Sequence, residues 1–550
     1  MNRKLLFILP VLLAAPVRAQ GSYGPSGVTA FGEEVAILSD VDGLGRRDFL
    51  VSAPPPTGAT TLSSGAVYVI SAESAGPFGN VLATVTPFQA GIPNLGAEFG
   101  RALANVGDVD GVPGDEFAIA TPRLTNSPGL RGEVEIFTLQ PSGGGVVPVY
   151  VRSLYSSFPA LNDYSFGSSM AVLTGQNTAN GRALAIGIPG LNRVDIFDPN
   201  TGVRMRSLDV QTPTGSIGGN LGFSLAAGPD NVLAAGAPDY RPPNAAANQF
   251  RYGYVAVYDL NSASSFPRSF LYRGIAFEAI GRAMASVGQL PGNPGSTLSD
   301  FAVLGSGSTT VQSKVYLFHT PPAQMTGPTP TTAVANLTTG LITLASDGRM
   351  AALNDIDGDG VGDFAVTANG FLNVLSTHGN SLTPTMSPVA ASTNSGLSSG
   401  PDLLGVGGTD LIIGTPNLTA SSGGVRVLSL ATSVRLPNPP GVSLDVSLAR
   451  PLLGASYPLT VTGTPGNAVA LLVNLAPFTP VPFGGGSSLA YLSTTGAVTV
   501  GIAASPSTFT VSIPLANQNL GQAFLFQAVQ FETNGSLTLS NGILARLGLQ

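Results

Sequence analysis

The stretch FGRALANVGDVDGVPGDEFAIATP, residues 99–122, holds two short apolar strands separated by an acidic, glycine-rich turn. Phe99-Gly100 opens it, Ala102 to Val106 reads as a first strand, and a turn begins at Asp108. Phe117 to Thr121 reads as the second strand, closed by Pro122. Apolar runs of this length bounded by Gly, Asp and Pro are the mark of paired strands. The same order of residues stands upstream as Phe31-Gly32, Val35 to Leu38, the turn Asp40 to Asp48, and Phe49 to Pro54. It returns as Phe166-Gly167, Met170 to Leu173 and Leu184 to Pro189. Four more eroded copies follow: Leu221-Gly222 with Val232 to Pro238, Ile280-Gly281 with Asp300 to Gly305, Asp347-Gly348 with Asp363 to Thr367, and Gly400 with Asp410 to Pro416.

The leading glycines at 32, 100, 167, 222, 281, 348 and 400 lie 52 to 68 residues apart. Such a step holds four short strands, one blade of a propeller. Outer-strand candidates fill the intervals at Gly65 to Ile70, Val81 to Val85, Gly132 to Phe137 and Gly253 to Tyr258. A unit repeated at this period cannot bury its apolar face alone and must stack on its neighbours. The reading is an all-β chain whose residues 20–437 form a seven-bladed β-propeller. Phe31, Phe99 and Phe166 are expected as core aromatics between blades. Val425 to Leu430 and Ser433 to Leu436 are expected to finish the seventh blade, because Gly21 to Ala30 is too rich in Gly and Pro to make a good strand.

"FG…GDVDG…DEFAIATP" and "FG…SDVDG…RDFLVSAP" resemble the FG-GAP repeats of integrin α subunits and their bacterial relatives, over roughly residues 31 to 437. The resemblance implies blades around a central axis, with the second strand of each next to the innermost one. It also implies extracellular adhesion. Unlike integrins, the chain has no candidate transmembrane helix after its N-terminal region, so membrane signalling is not implied.

Composition agrees with many short strands. The chain has 550 residues, 70 of them Gly and 44 Pro, and only 10% are charged. Long amphipathic helices need charged outer faces that so few charges do not supply. A net charge of −7 and the absence of a basic run argue against a nucleic-acid partner. With no cysteine, disulfides, thiolate metal sites and cysteine nucleophiles are excluded together. Residues 1–19 read as an export signal: Arg3 and Lys4 precede an apolar run ending at Val17-Arg18-Ala19. The expected location is secreted, cell-surface or periplasmic.

The acidic turns carry the chemistry. In the sixth repeat Asp355, Asp357, Asp359 and Asp363 stand at turn positions 1, 3, 5 and 9, Gly360 at 6, and Val361 offers a main-chain carbonyl at 7. Hard Ca²⁺ takes six to eight oxygens, and alternate residues of a tight loop converge on it. The bland alternative is an Asp/Gly turn without metal, but four carboxylates within nine residues repel one another unless a cation offsets them. The first repeat keeps Asp40, Asp42 and Asp48 with Leu44 at position 5. The second keeps Asp108, Asp110 and Glu116, with Val112 at 5 and Pro113 at 6. Both are candidate weaker calcium sites. Asp300 and Asp410 read as strand-start residues rather than ligands. Calcium is expected to act as a staple and not as a catalyst.

Pro437-Asn-Pro-Pro440 marks a linker, and residues 441–550 carry at least five strand-length segments, read as a small β-sandwich-like domain. It resembles C-terminal β-domains of secreted planctomycete-type proteins, with attachment or sorting as implied roles. No catalytic domain is legible, and His319 and His378 read as ordinary surface residues. The leading functional expectation is an extracellular binding or adhesion module with a protein or glycan partner. The alternatives are a propeller hydrolase or lyase acting on glycans, and a structural envelope component.

Overall fold

The computed structural model describes residues 19–546 apart from a number of loops; 1–18, 88–97, 321–347 and 513–522 are the longest stretches outside the description. Residues 1–18 of the expected leader, Asp357, Asp359, Pro113 and His378 therefore lie outside the described residues, whereas Ala19, the last residue of that leader, opens a strand. Strands and one 3-10 turn, Pro189–Leu191, make up the regular structure of the described residues, so the chain is all-β. They divide into two compact units, one of Ala19–Pro384 with Pro388–Ala431, the other including Thr432–Gln550.

The first unit holds seven small antiparallel sheets among the described residues. Sheet 1 runs Val35–Ile37, Phe49–Ala53, Ala66–Ile70, Val81–Val85, each strand paired with the next. Sheets 2 to 4 repeat this order from first strands at Leu103–Gly107, Met170–Thr174 and Ser224–Gly228. Sheet 5, from Ile280–Gly288, has three strands among the described residues, and sheet 6, from Arg349–Ala352, adds a fifth, Val389–Ala390, beside its third. Sheet 7 contains Leu397–Pro401, Thr409–Thr419 and Ser422–Ser429. Its fourth strand is Ala19–Tyr23, antiparallel to Val425–Leu428. The N-terminal segment thus completes the seventh sheet, which corrects the expectation that the sheet finishes itself. Ser433–Leu436, expected there, pairs instead with Gly542–Ala545 in the C-terminal unit, so the boundary between units falls before Thr432 and ahead of the prolines. Gly and Pro nearby did not prevent pairing, because a terminal edge strand needs only its backbone groups on one side.

From sheet 1 to sheet 6, each sheet stacks on the next through a shared apolar layer. Ala118, Ala120 and Val134 of sheet 2 cluster with Phe166, Leu184 and Ile186 of the third repeat. Leu304 and Leu317 of sheet 5 meet Phe364 and Val366 of sheet 6. The same kind of cluster joins sheet 7 to sheet 1, where Ile412, Val425 and Val427 pack with Phe31, Val35, Phe49 and Val51. First strands touch in the order of the sheets, and Leu397–Pro401 returns to Val35–Ile37. Arg349, opening sheet 6, pairs with Glu34, just ahead of sheet 1, at 2.5 Å. Phe31, Phe99 and Phe166 are fully buried, as a stacking role requires.

The leading glycines have a specific task. Gly32, Gly100, Gly167, Gly222 and Gly281 share φ between +89° and +99°, a region open to glycine at no steric cost. They also sit against the second strand of the preceding sheet. A Cβ on Gly187 would stand 2.0 Å from Gly222 O, one on Gly236 2.0 Å from Gly281 O, and one on Gly414 1.7 Å from Gly32 O. The small residues of the second strand are thus spaces for the next repeat's opening turn. Gly348 and Gly400 do not share this geometry. Gly414 N donates to Gly396 O as Ser52 N donates to Glu34 O, so the seventh repeat opens ahead of Gly396, and Gly400 lies at the strand's far end opposite Asp410.

Among the described residues the C-terminal unit contains a five-stranded antiparallel sheet, a three-stranded sheet of Ser443–Val446, Ser456–Thr462 and Ser507–Ser512, and a two-stranded pair. Ser443–Val446 lies against Ala523–Phe531 and Leu537–Arg546 of the larger sheet. Leu459, Val461, Val469, Leu471 and Ala528 are buried.

Candidate metal-binding turns

The turns joining first to second strands stand side by side. Asn105 Nδ2 donates to Ile37 O (2.8 Å), Asn180 Nδ2 to Asp108 O (2.7 Å), and Gln176 Nε2 to Asn231 Oδ1 (2.9 Å). Ser299 Oγ donates to Asp230 Oδ1 (2.8 Å), Gly362 N to Val287 O (2.9 Å), and Asn354 Nδ2 to Thr409 Oγ1 (3.4 Å). These bonds run from sheet 1 to sheet 7 and place the candidate metal turns along one edge of the stack.

Two of the three candidate turns bring their acidic groups together. Oxygens of Asp40, Asp42 and Asp48 lie within 4.8 Å of one another, and so do those of Asp108, Asp110 and Glu116. In the first turn Asp40 Oδ2 accepts from Gly45 N (2.7 Å) and Asp40 Oδ1 from Gly43 N (2.8 Å). The sixth turn repeats the first of these: Asp355 Oδ2 accepts from Gly360 N at 2.7 Å. Gly45 and Gly360 reach this geometry at φ +91° and +87°. Leu44 and Val112, at position 5, point outward with 55% and 63% exposure, so they leave the fifth ligand position to other groups. Of the sixth turn, Asp355, Val361 and Asp363 lie within the description, and Val361 and Asp363 are buried.

The ninth-position carboxylate has a second task in the fold. Asp48 Oδ2 accepts from Val41 N (2.8 Å) and its Oδ1 from Ala72 N (3.1 Å). Asp363 does the same with Ile356 N (2.8 Å) and Thr377 N (3.0 Å). Asp300 does so with Leu290 N (2.9 Å) and Thr320 N (2.6 Å). This buried acid ties the start of the turn to the chain leaving the third strand, metal or no metal. His319 precedes Thr320 just as Ser71 precedes Ala72; its side chain is 10% exposed and its Nδ1 stands 3.1 Å from Asp300 Oδ2. That corrects its reading as an ordinary surface residue. Ser71 instead donates through Oγ to Asp42 Oδ2 at 2.6 Å, so the third strand's exit also orients a candidate ligand.

The second turn fits a hard cation on its own geometry. Glu116 is 1% exposed, and its Oε2 accepts from Val109 N at 2.8 Å. Oε1 is buried without a hydrogen-bond partner among the described residues. Thr138 stands near enough to favour the ionised form but makes no bond to Oε1. Burial pushes this carboxyl up, and the charges of Asp110 and Asp108 add to the shift. A buried oxygen lacking a donor beside two further carboxylates suits an oxygen-seeking ion.

Burial pushes Asp48 up to about 6, against hydrogen bonds from Val41, Ala72 and Asp42 and with help from the Asp42 charge. A carboxyl raised in the folded state contributes stability that is full below its ordinary 3.8 and lost as pH climbs through about 6. With chelator present, the melting temperature should therefore fall between about pH 4 and pH 7, and Asp48→Asn should flatten that fall. Calcium favours the ionised carboxylate and should raise the melting temperature most at the upper end. Thermal melts across pH, with and without calcium, check the sign.

No family model matches the chain, and no curated protein matches it. No helix among the described residues is long and apolar enough to cross a membrane.

Proposed function

We propose that the chain is an exported, calcium-binding, seven-bladed β-propeller of the FG-GAP type that serves as an extracellular binding or adhesion module. The observation that carries the architecture is the packing of Gly414 against Gly32 within the apolar layer joining sheets 7 and 1. A row of stacked sheets has two ends, whereas this contact joins them. Support for the metal comes from the clustered carboxylates of the first and second turns and from the partnerless Glu116 oxygen. In this reading Asp355, Asp357, Asp359, Asp363 and the Val361 carbonyl hold the best-equipped ion. The first and second turns supply three carboxylates each. The ion's contribution is to neutralise the turn and hold its two strands together.

A propeller gathers loops from all its blades on one face, a broad surface suited to a protein or glycan partner. The smaller C-terminal unit, with its two main sheets, suits a sandwich used for attachment. The test has two arms. Calorimetric titration of the full chain should register calcium uptake that drops in the Asp355→Ala, Asp357→Ala double variant; unchanged uptake would contradict the placement of the main ion. Calcium at a hundred times its Kd should stabilise the fold by about 2.7 kcal/mol per site. Protein and glycan arrays probed with and without calcium then identify the partner class. Captured ligands that turn over would favour the hydrolase or lyase alternative.

A further inference from the structure

The second turn reaches into the first sheet's approach through a residue outside the acidic cluster. Asp115 is the eighth residue of that turn and adjoins Glu116. Its Oδ2 accepts from Ser39 N at 2.5 Å and from Asn105 Nδ2 at 2.8 Å. Ser39 immediately precedes Asp40. Asn105 Nδ2 also donates to Ile37 O at 2.8 Å, while Asn105 Oδ1 accepts from Gly107 N at 2.7 Å. The neighbouring Glu116 directs Oε2 to Val109 N and keeps Oε1 buried without a partner among the described residues. The seat for the ion and the link to the first sheet therefore share one peptide unit, Asp115-Glu116.

We infer that a divalent cation held by Asp108, Asp110 and Glu116 stiffens the junction between sheets 1 and 2 through Asp115, a positioning residue and not a ligand. The inference rests on the calcium reading of the second turn. An ion on Glu116 fixes the backbone that carries Asp115, and Asp115 in turn fixes the strand leading to Asp40. Local opening of such a junction becomes rarer when one end of its hydrogen-bond network is held. The Ser39 amide reports this directly, since its acceptor is the Asp115 carboxylate.

The experiment measures hydrogen exchange at the Ser39 amide by NMR, with calcium as the probe, in the full chain carrying Asp42→Asn to weaken the first turn's own site. Calcium should slow Ser39 exchange about tenfold in this parent. Asp115→Ala should still take up the ion, read by calorimetry as uptake lost on adding Glu116→Gln, while the slowing at Ser39 disappears. Asp115→Asn keeps an acceptor for Ser39 and should keep the slowing, which separates lost positioning from a general loss of structure. If Asp115→Ala does not fold, Asn105→Ala cuts the parallel link to Ile37 and should reduce the slowing. Equal slowing in Asp115→Ala, or an ion-loaded parent with no slowing, overturns the inference and leaves the calcium reading standing. A parent whose uptake is unchanged by Glu116→Gln overturns both.

Discussion

Gly414→Ala should destabilise the first unit by about 3 kcal/mol or more, the upper end of what overpacking costs. The added Cβ would stand 1.7 Å from Gly32 O and 2.5 Å from Gly32 C. Both atoms belong to backbone, so no side-chain rotation relieves the contact. Gly32 is also held on its own sheet, where its N–H donates to Ser52 O at 2.9 Å. Relief requires sheets 7 and 1 to part, at the cost of the layer containing Phe31 and Ile412. Gly145→Ala is the control, because its nearest atom is Ser142 O at 3.9 Å and its φ is not left-handed. Chemical denaturation of both variants checks the contrast. Equal stability would mean that the close approach at Gly414 is not a property of the folded chain.

Removal of residues 19–23 should be the second large effect. The strand pairs Ala19, Gln20, Ser22 and Tyr23 with Leu428, Val427, Arg426 and Val425. Its loss leaves the third strand of sheet 7 as an unpaired edge, a template for association with other chains. At roughly 1 kcal/mol net for each ladder hydrogen bond, the loss is about 3–4 kcal/mol. The shortened protein should melt earlier and self-associate, which sedimentation reads. A synthetic peptide of residues 19–27 should restore the melting temperature in trans by adding the missing strand. If truncation leaves both stability and oligomeric state unchanged, the N-terminal segment does not close the seventh sheet.

Much of the fold is legible in the sequence because glycine, small residues and apolar strands recur at positions whose reasons are local. The Phe-Gly openings at 31, 99 and 166 and the strands Phe49–Ala53 and Glu116–Thr121 could be read directly. Gly222 and Gly281 could be read as well, but the sixth and seventh openings could not. Gly400 stands where a leading glycine is expected, yet the repeat's register is set by the bond between Gly414 and Gly396, which no local pattern announces. Ala19–Tyr23 was hidden for the opposite reason: its pairing uses backbone groups, and its side chains give little strand signal.

The candidate site divides in the same way. Asp40, Asp42, Asp48, Asp108, Asp110 and Glu116 announce themselves by alternate spacing, and the structure clusters them. Ser71, Ala72 and Thr377 approach the turns from the far end of the third strand, between 14 and 29 residues away from the carboxylates they bond. Asp115 bonds across 76 residues, and His319 meets Asp300 only because two strands bring them together. Spacing rules see ligands within one turn and miss the partners that neighbouring strands and sheets supply.

Closure of the stack into a ring is the central claim, and one cross-link tests it most directly. Glu34 and Arg349 face each other although they lie on repeats one and six, and the chain has no native cysteine to interfere. Glu34→Cys, Arg349→Cys treated with a short bismaleimide should give a monomeric, internally linked species in high yield, identified by peptide mass after digestion. An open row of sheets would hold the two positions far apart, and the reagent would then give only singly modified or intermolecularly linked protein. That outcome would contradict the ring.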